Sequence, residues 1–153
     1  MIREISPANF DATSETHEAL RRFVAARPFY RQLQAAPTLI ARHWVDFKVP
    51  AAPALCNDRG CLDDAVVVMC AEMAAALLAD AALSQSGEWT LTSTEVEHQP
   101  PLWGSSEGLR VSAALEEKEA AWSADGEKKV LVVITGVETE VLRAAAYVRV
   151  EVS

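Results

Sequence analysis

One apolar run, Ala65 to Leu83, limits what this chain can fold into more than any other feature. It is about as long as the roughly 20 residues that span a bilayer. Glu72 and Asp80 interrupt it, and much of it is alanine, which is only weakly apolar. Carboxylates facing lipid are costly, so the first reading is a helix buried in a soluble core and the second a membrane span. A helix apolar nearly all round needs cover on every side. The lead-in helices, a sheet or a second subunit must supply it.

The flanking sequence offers both helices and a sheet. Thr13 or Ser14 caps a helix whose apolar positions Ala19, Leu20, Phe23 and Val24 have helical spacing. Pro28 opens a short turn to Gln34. Pro37 then opens one expected strand, Thr38 to Val49, stopped by Pro50. Ala51 to Gly60 reads as loop. Asp63 and Asp64 stand at the start of the apolar helix, where acidic residues cap free N–H groups and suit the helix dipole. Ser84 to Gly87 is its exit.

After Gly87 the period changes to two. Trp89 to His98 is Thr-rich and strand-like, and Pro100, Pro101 and Gly104 break it. Leu109, Val111, Ala113 and Leu115 alternate with polar or small residues, so one face is buried. Asp125-Gly126 marks a turn, Val130 to Thr135 a strand, and Gly136 to Glu140 another turn. Leu142, Ala144, Ala146, Val148, Val150 and Val152 form the last alternating face. Short connections favour antiparallel neighbours. The expected fold is α+β, one antiparallel sheet wrapped on the long helix.

Composition narrows function. The 153 residues suit a single domain, 1–153, with 1–36 as helical lead-in. Half the residues are hydrophobic, which excludes wholesale disorder. A net charge of −8 argues against nucleic-acid backbones and anionic membranes as partners. Cys56, Cys61 and Cys70 are an odd number without zinc-type spacing, so they read as free thiols. His17, His43 and His98 lack metal-ligand spacing, so no metal is expected. The N-terminus lacks the apolar core of a signal peptide, and the expected location is cytoplasmic.

The element order resembles the hot-dog fold, a curled antiparallel sheet around a central helix. Several segments are similar to the PaaI-like acyl-CoA thioesterases. These are Pro28-Phe29 after the first helix, the strand ending at Pro50, and Asn57-Asp58-Arg59-Gly60 for an Asn-x-x-Gly loop. Counted from Gly60, the family's His-Gly-Gly turn falls on Asp63-Asp64-Ala65, its helix carboxylate on Glu72, and its strand hydroxyl on Thr90. The resemblance implies an acyl-CoA or other acyl thioester as substrate, no cofactor, and a homodimer or homotetramer with sites at subunit interfaces.

Thioester hydrolysis needs a base or nucleophile, donors for the developing oxyanion, and a crevice for the acyl group. By the resemblance, Glu72 supplies the first, with Asn57 and Thr90 positioning groups. N–H groups at Asp63, Asp64 and Ala65 bind the carbonyl oxygen. Taken alone, Glu72 reads equally as a solvent-facing or arginine-paired carboxylate, Asn57 as an Asx turn and Thr90 as a strand threonine. Asp64 and Ala65 in place of the glycines add bulk, the aspartates add negative charge at that turn, and a capping Asp occupies the N–H groups an oxyanion needs. A hot-dog module that binds acyl-CoA without catalysis is therefore the alternative. A hydratase is ranked third, because no Asp-x-x-x-x-His motif occurs. Arg21, Arg22, Arg27 and Arg31 form either a coenzyme phosphate site or a solvated helix face, the second being favoured. Trp89, Trp103 and Trp122 are read as core or acyl-pocket residues.

Overall fold

The structure is a computed structural model that describes residues 13–53, 56–57, 63–83, 88–99, 107–117, 122 and 125–153. Helix α1 (Ser14–Ala26) starts where expected. The extended Thr13 accepts a hydrogen bond from the Thr16 N–H, 3.2 Å, which satisfies a donor the helix leaves open. The buried Thr16 hydroxyl in turn accepts from the Ile40 N–H, 3.4 Å, and so ties α1 to the sheet. A 3-10 helix (Pro28–Leu33) follows, with proline at its first turn and Gln34 leaving in the left-handed conformation.

The expected single strand is two. β1 (Ala36–Ile40) and β2 (Val45–Val49) pair antiparallel, and the Ala41 N–H bonds to Trp44 O across the reversal. The turn, Ala41-Arg42-His43-Trp44, contains no Gly, Pro or Asn, so nothing marked it in the sequence. The remaining strands are β3 (Trp89–His98), β4 (Leu109–Leu115), β5 (Gly126–Gly136) and β6 (Leu142–Val152). All pairs are antiparallel, in the order β1-β2-β4-β5-β6-β3. Gly126 takes a φ of +115°, a conformation that favours glycine. Leu142 is exposed, unlike the rest of its alternating series.

Helix α2 (Asp64–Leu83) lies in the concave face of the sheet and touches all six strands. Phe47, Val111, Val130, Val132, Ile134, Ala146, Val148 and Val150 meet it from the strands, all within 1% of full burial. By length and composition α2 could cross a membrane, but 72% of its most apolar window is buried inside the protein. Alanine at Ala71, Ala74, Ala75 and Ala79, all fully buried, lets the sheet approach closely. α1 and the 3-10 helix cover part of the remaining side, as the all-round apolar pattern required. Among the described residues, β1 and β3 are the edge strands of the sheet.

Candidate active site

In its first half α2 leaves a stripe open. Ala65, Val68, Met69 and Glu72 are spaced three and four residues apart, so they line up along the helix. All four are exposed or half-exposed, whereas Val67, Cys70, Ala71 and Met73 are fully buried. Glu72 is thus a carboxylate at the end of an apolar, half-open stripe. It makes no hydrogen bond or ion pair among the described residues. Asp80 is exposed at the far end of the helix.

The 3-10 helix packs on α2 and carries Tyr30, which the sequence reading did not single out. The Tyr30 phenol is pushed above its ordinary pKa, first by burial and then by the Glu72 charge, with Arg27 acting weakly the other way. The Tyr30 ring lies 5.6 Å from the rings of both Phe23 and Phe29. Arg27 is not on a solvated face. Its guanidinium lies 4.8 Å from the Phe23 ring centroid and 4.8 Å from that of Trp89, a cation–π contact on each side. Arg21 pairs instead with Glu18, at 2.6 Å on the helix surface.

At the start of α2, Asp63 is the cap. Its Oδ1 accepts from the Ala65 N–H at 2.8 Å, and its carbonyl accepts from the Val66 and Val67 N–H groups. The Ala65 N–H, expected to be open to a carbonyl oxygen, is therefore occupied. The Asp64 N–H finds no acceptor among the described residues. Asp64 reaches toward His98 at the end of β3, with 3.5 Å between Oδ1 and Nδ1, too long for a hydrogen bond. This histidine–carboxylate neighbourhood joins residues remote in sequence and had no motif to announce it.

Thr90 does not join Glu72 within one chain. It pairs with the exposed Glu151, while Trp89 and Leu91 on either side are half-buried. The period of two turns its hydroxyl away from α2. After a bulge between Leu91 and Ser93, the half-buried hydroxyl on β3 is Thr94. Asn57 is exposed in the segment before α2. Cys61, Trp103, Asp58 and Gly60 lie outside the described residues. Cys70 is fully buried, and burial pushes its thiol up to about 12, which leaves it inert. Trp122 is buried. No group of metal-ligating side chains occurs among the described residues.

Two clefts lie elsewhere. One, of about 850 Å³, separates α1 and β1 from the C-terminal half of α2 and is lined by Thr16, Arg22, Ile40, Leu77 and Asp80. Another, of about 620 Å³, runs over the outer sheet face beside Trp44, Ser112 and Leu131. Neither reaches Glu72, whose stripe is open on one side rather than enclosed.

Solved structures share this arrangement. A thioesterase from Haemophilus influenzae superposes with a TM-score of 0.75 at 14% identity, over 94% of this chain and 94% of that one. Thioesterase superfamily member 2 from Mus musculus gives 0.72 at 13% identity, over 92% and 98%. A thioesterase family protein from Silicibacter pomeroyi gives 0.72 at 15%, over 90% and 97%. The six-stranded sheet curled on α2 is the hot-dog fold, the fold of these thioesterases. No protein-family profile matches the chain, and no curated protein matches it in sequence.

Proposed function

We propose that this protein is an acyl-CoA thioesterase of the PaaI-like type, with Glu72 as the group that activates water. The observation that carries the reading is the carboxylate itself, half-open at the end of the apolar stripe Ala65–Val68–Met69 and unpaired among the described residues. An acyl chain would lie along such a stripe, its carbonyl carbon near the carboxylate. The Asp64 N–H, at the positive end of the helix dipole, has no acceptor among the described residues, but it lies about 12 Å along α2 from Glu72, too far to bind the oxygen of the same carbonyl. The thioesterase names of the structural neighbours support the substrate class.

The stripe needs a second wall, and a homodimer would provide one. β3 is a ten-residue edge with one side unpaired among the described residues, the kind of edge that pairs with another copy. Asn57 and Thr90, both exposed, would complete the site from or against that copy. The single domain 1–153 and a cytoplasmic location belong to the same reading. Thiol release from acetyl-, lauroyl- and benzoyl-coenzyme A tests it, with wild type and Glu72→Gln side by side and a no-substrate control for the protein's own thiols. Release that disappears in Glu72→Gln is the expected result, and release that persists would remove Glu72 from the chemistry.

The capping bond from Asp63 favours one second reading, a hot-dog module that binds acyl-CoA without cleaving it. Its signature is saturable acyl-CoA binding with no thiol release in the same samples.

A further inference from the structure

The outer face of the sheet, opposite α2, carries the cleft of about 620 Å³. That is within the roughly 300–1,000 Å³ usual for small-molecule sites. Strand register builds it. Ser112 stands across from Val133 and Ala114 across from Leu131, so these four side chains share the face that alternates with the buried Val111, Ala113, Val130 and Val132. The Glu116 N–H bonds to Lys129 O, which carries the ladder one residue past β4 and sets Glu116 in the same cleft. Trp44, from the turn before β2, lines it too and is 43% exposed.

The two ends of the cleft differ in chemistry. Asp46, fully buried across from Ser112, accepts the Ser112 O–H on its Oδ1 at 2.5 Å. Its Oδ2 has no donor among the described residues, so this under-satisfied carboxylate holds the serine proton. The Ser112 oxygen therefore offers only lone pairs to the cleft, and a ligand at this end has to donate. Glu116 stands at the other end. Its Oε2 lies 3.5 Å from Lys129 Nζ, an exposed and weak pairing, and that ammonium is also 4.2 Å from the Tyr147 ring centroid. Glu116 Oε1 has no partner among the described residues. Between the ends, Ala114, Leu131, Val133 and the Trp44 indole are apolar. A net charge of −8 draws cations rather than anions to such a site.

We propose that this cleft binds an arylalkylamine that carries a hydroxyl on its ring. The ring lies on Trp44 and against Leu131 and Val133. The hydroxyl donates to Ser112 Oγ, and the ammonium meets Glu116. Ser112 and Glu116 are four residues apart on one face, roughly 13 Å along a strand. A hydrogen bond at each end takes roughly 3 Å of that. What remains is the length of one aromatic ring with a two-carbon arm. The site lies across the sheet from α2, so it does not depend on the thioesterase reading of Glu72.

The test is a chemical-shift titration of the nitrogen-labelled protein with four probes. These are tyramine, 4-ethylphenol without the ammonium, phenethylamine without the hydroxyl, and 4-hydroxyphenylpropionate with the charge reversed. Tyramine should give saturable shifts confined to β4, β5 and the turn before β2. Each truncated probe should bind about 10-fold more weakly, and the propionate should not bind. Glu116→Gln changes a half-exposed side chain, so thermal melting should match wild type. In that variant tyramine should fall to the affinity of 4-ethylphenol. Undiminished tyramine binding by Glu116→Gln, equal binding of all four probes, or no saturable shift on that face would each overturn the proposal. Shifts there that follow protein concentration without any probe would assign the face to a second copy and overturn it as well.

Discussion

Asp63 decides how much of the α2 N-terminus remains for a ligand. Its side chain holds the Ala65 N–H, a bond that stabilises the helix and closes a donor. Asp63→Ala should cost about 1 kcal/mol in urea unfolding, and Asp63→Gly only a few tenths. Equal stability of all three proteins would mean that the cap contributes nothing in solution. Cys70 offers a second check at this scale. With its thiol pushed up to about 12 by burial, it should resist iodoacetamide at pH 8 in the native protein and react once the protein is unfolded in guanidinium. Rapid native labelling of Cys70, read by mass spectrometry, would show that α2 is not packed as described.

At the scale of elements, β2 and β4 are joined by more than backbone. Asp46, fully buried, accepts from Arg110 Nε at 2.9 Å and from Ser112 Oγ at 2.5 Å, and Ser112 is its register partner. Removing Asp46 takes a buried acceptor from both Arg110 and Ser112, so Asp46→Ala should destabilise by about 1–3 kcal/mol. A change below 1 kcal/mol in chemical denaturation would contradict that burial. At the end of β5, a Cβ on Gly136 would overlap the Glu107 carboxylate, which also accepts from Thr139 at 2.8 Å. Gly136→Ala should therefore cost about 1–3 kcal/mol, as overpacking does.

β4 and β6 were legible from their alternation, β3 from its threonines, and β5 from an apolar run between the turns at Gly126 and Gly136. The β1–β2 reversal was not, because Ala41 to Trp44 carries no turn residue. Glu72 was legible as a lone carboxylate in an alanine-rich run. The packing of Tyr30 on Phe23 was not, since a tyrosine in a short 3-10 segment has no periodicity. Thr90 faces away from the α2 of its own chain because spacing along a strand fixes distance but not face, and the neighbours Trp89 and Leu91 took the inner positions.

At the scale of the whole molecule, the open β3 edge and the half-open stripe make the same demand for a second copy. Sedimentation should find a dimer or larger. Dilution into the monomer range should abolish thiol release if the proposed site needs both subunits, whereas full activity of a monomer would separate assembly from catalysis. The position of α2 in the chain has another consequence, and it concerns synthesis. The helix touches all six strands, yet only β1 and β2 precede it. At about 5–20 residues per second, β3 follows α2 from the ribosome by about 1–3 s and β6 by about 3–14 s. During that interval a nascent helix apolar enough to cross a bilayer has most of its cover still unmade. Glu72 at its middle biases it against the translocon, where a carboxylate at a helix centre costs on the order of 2.5–3.5 kcal/mol.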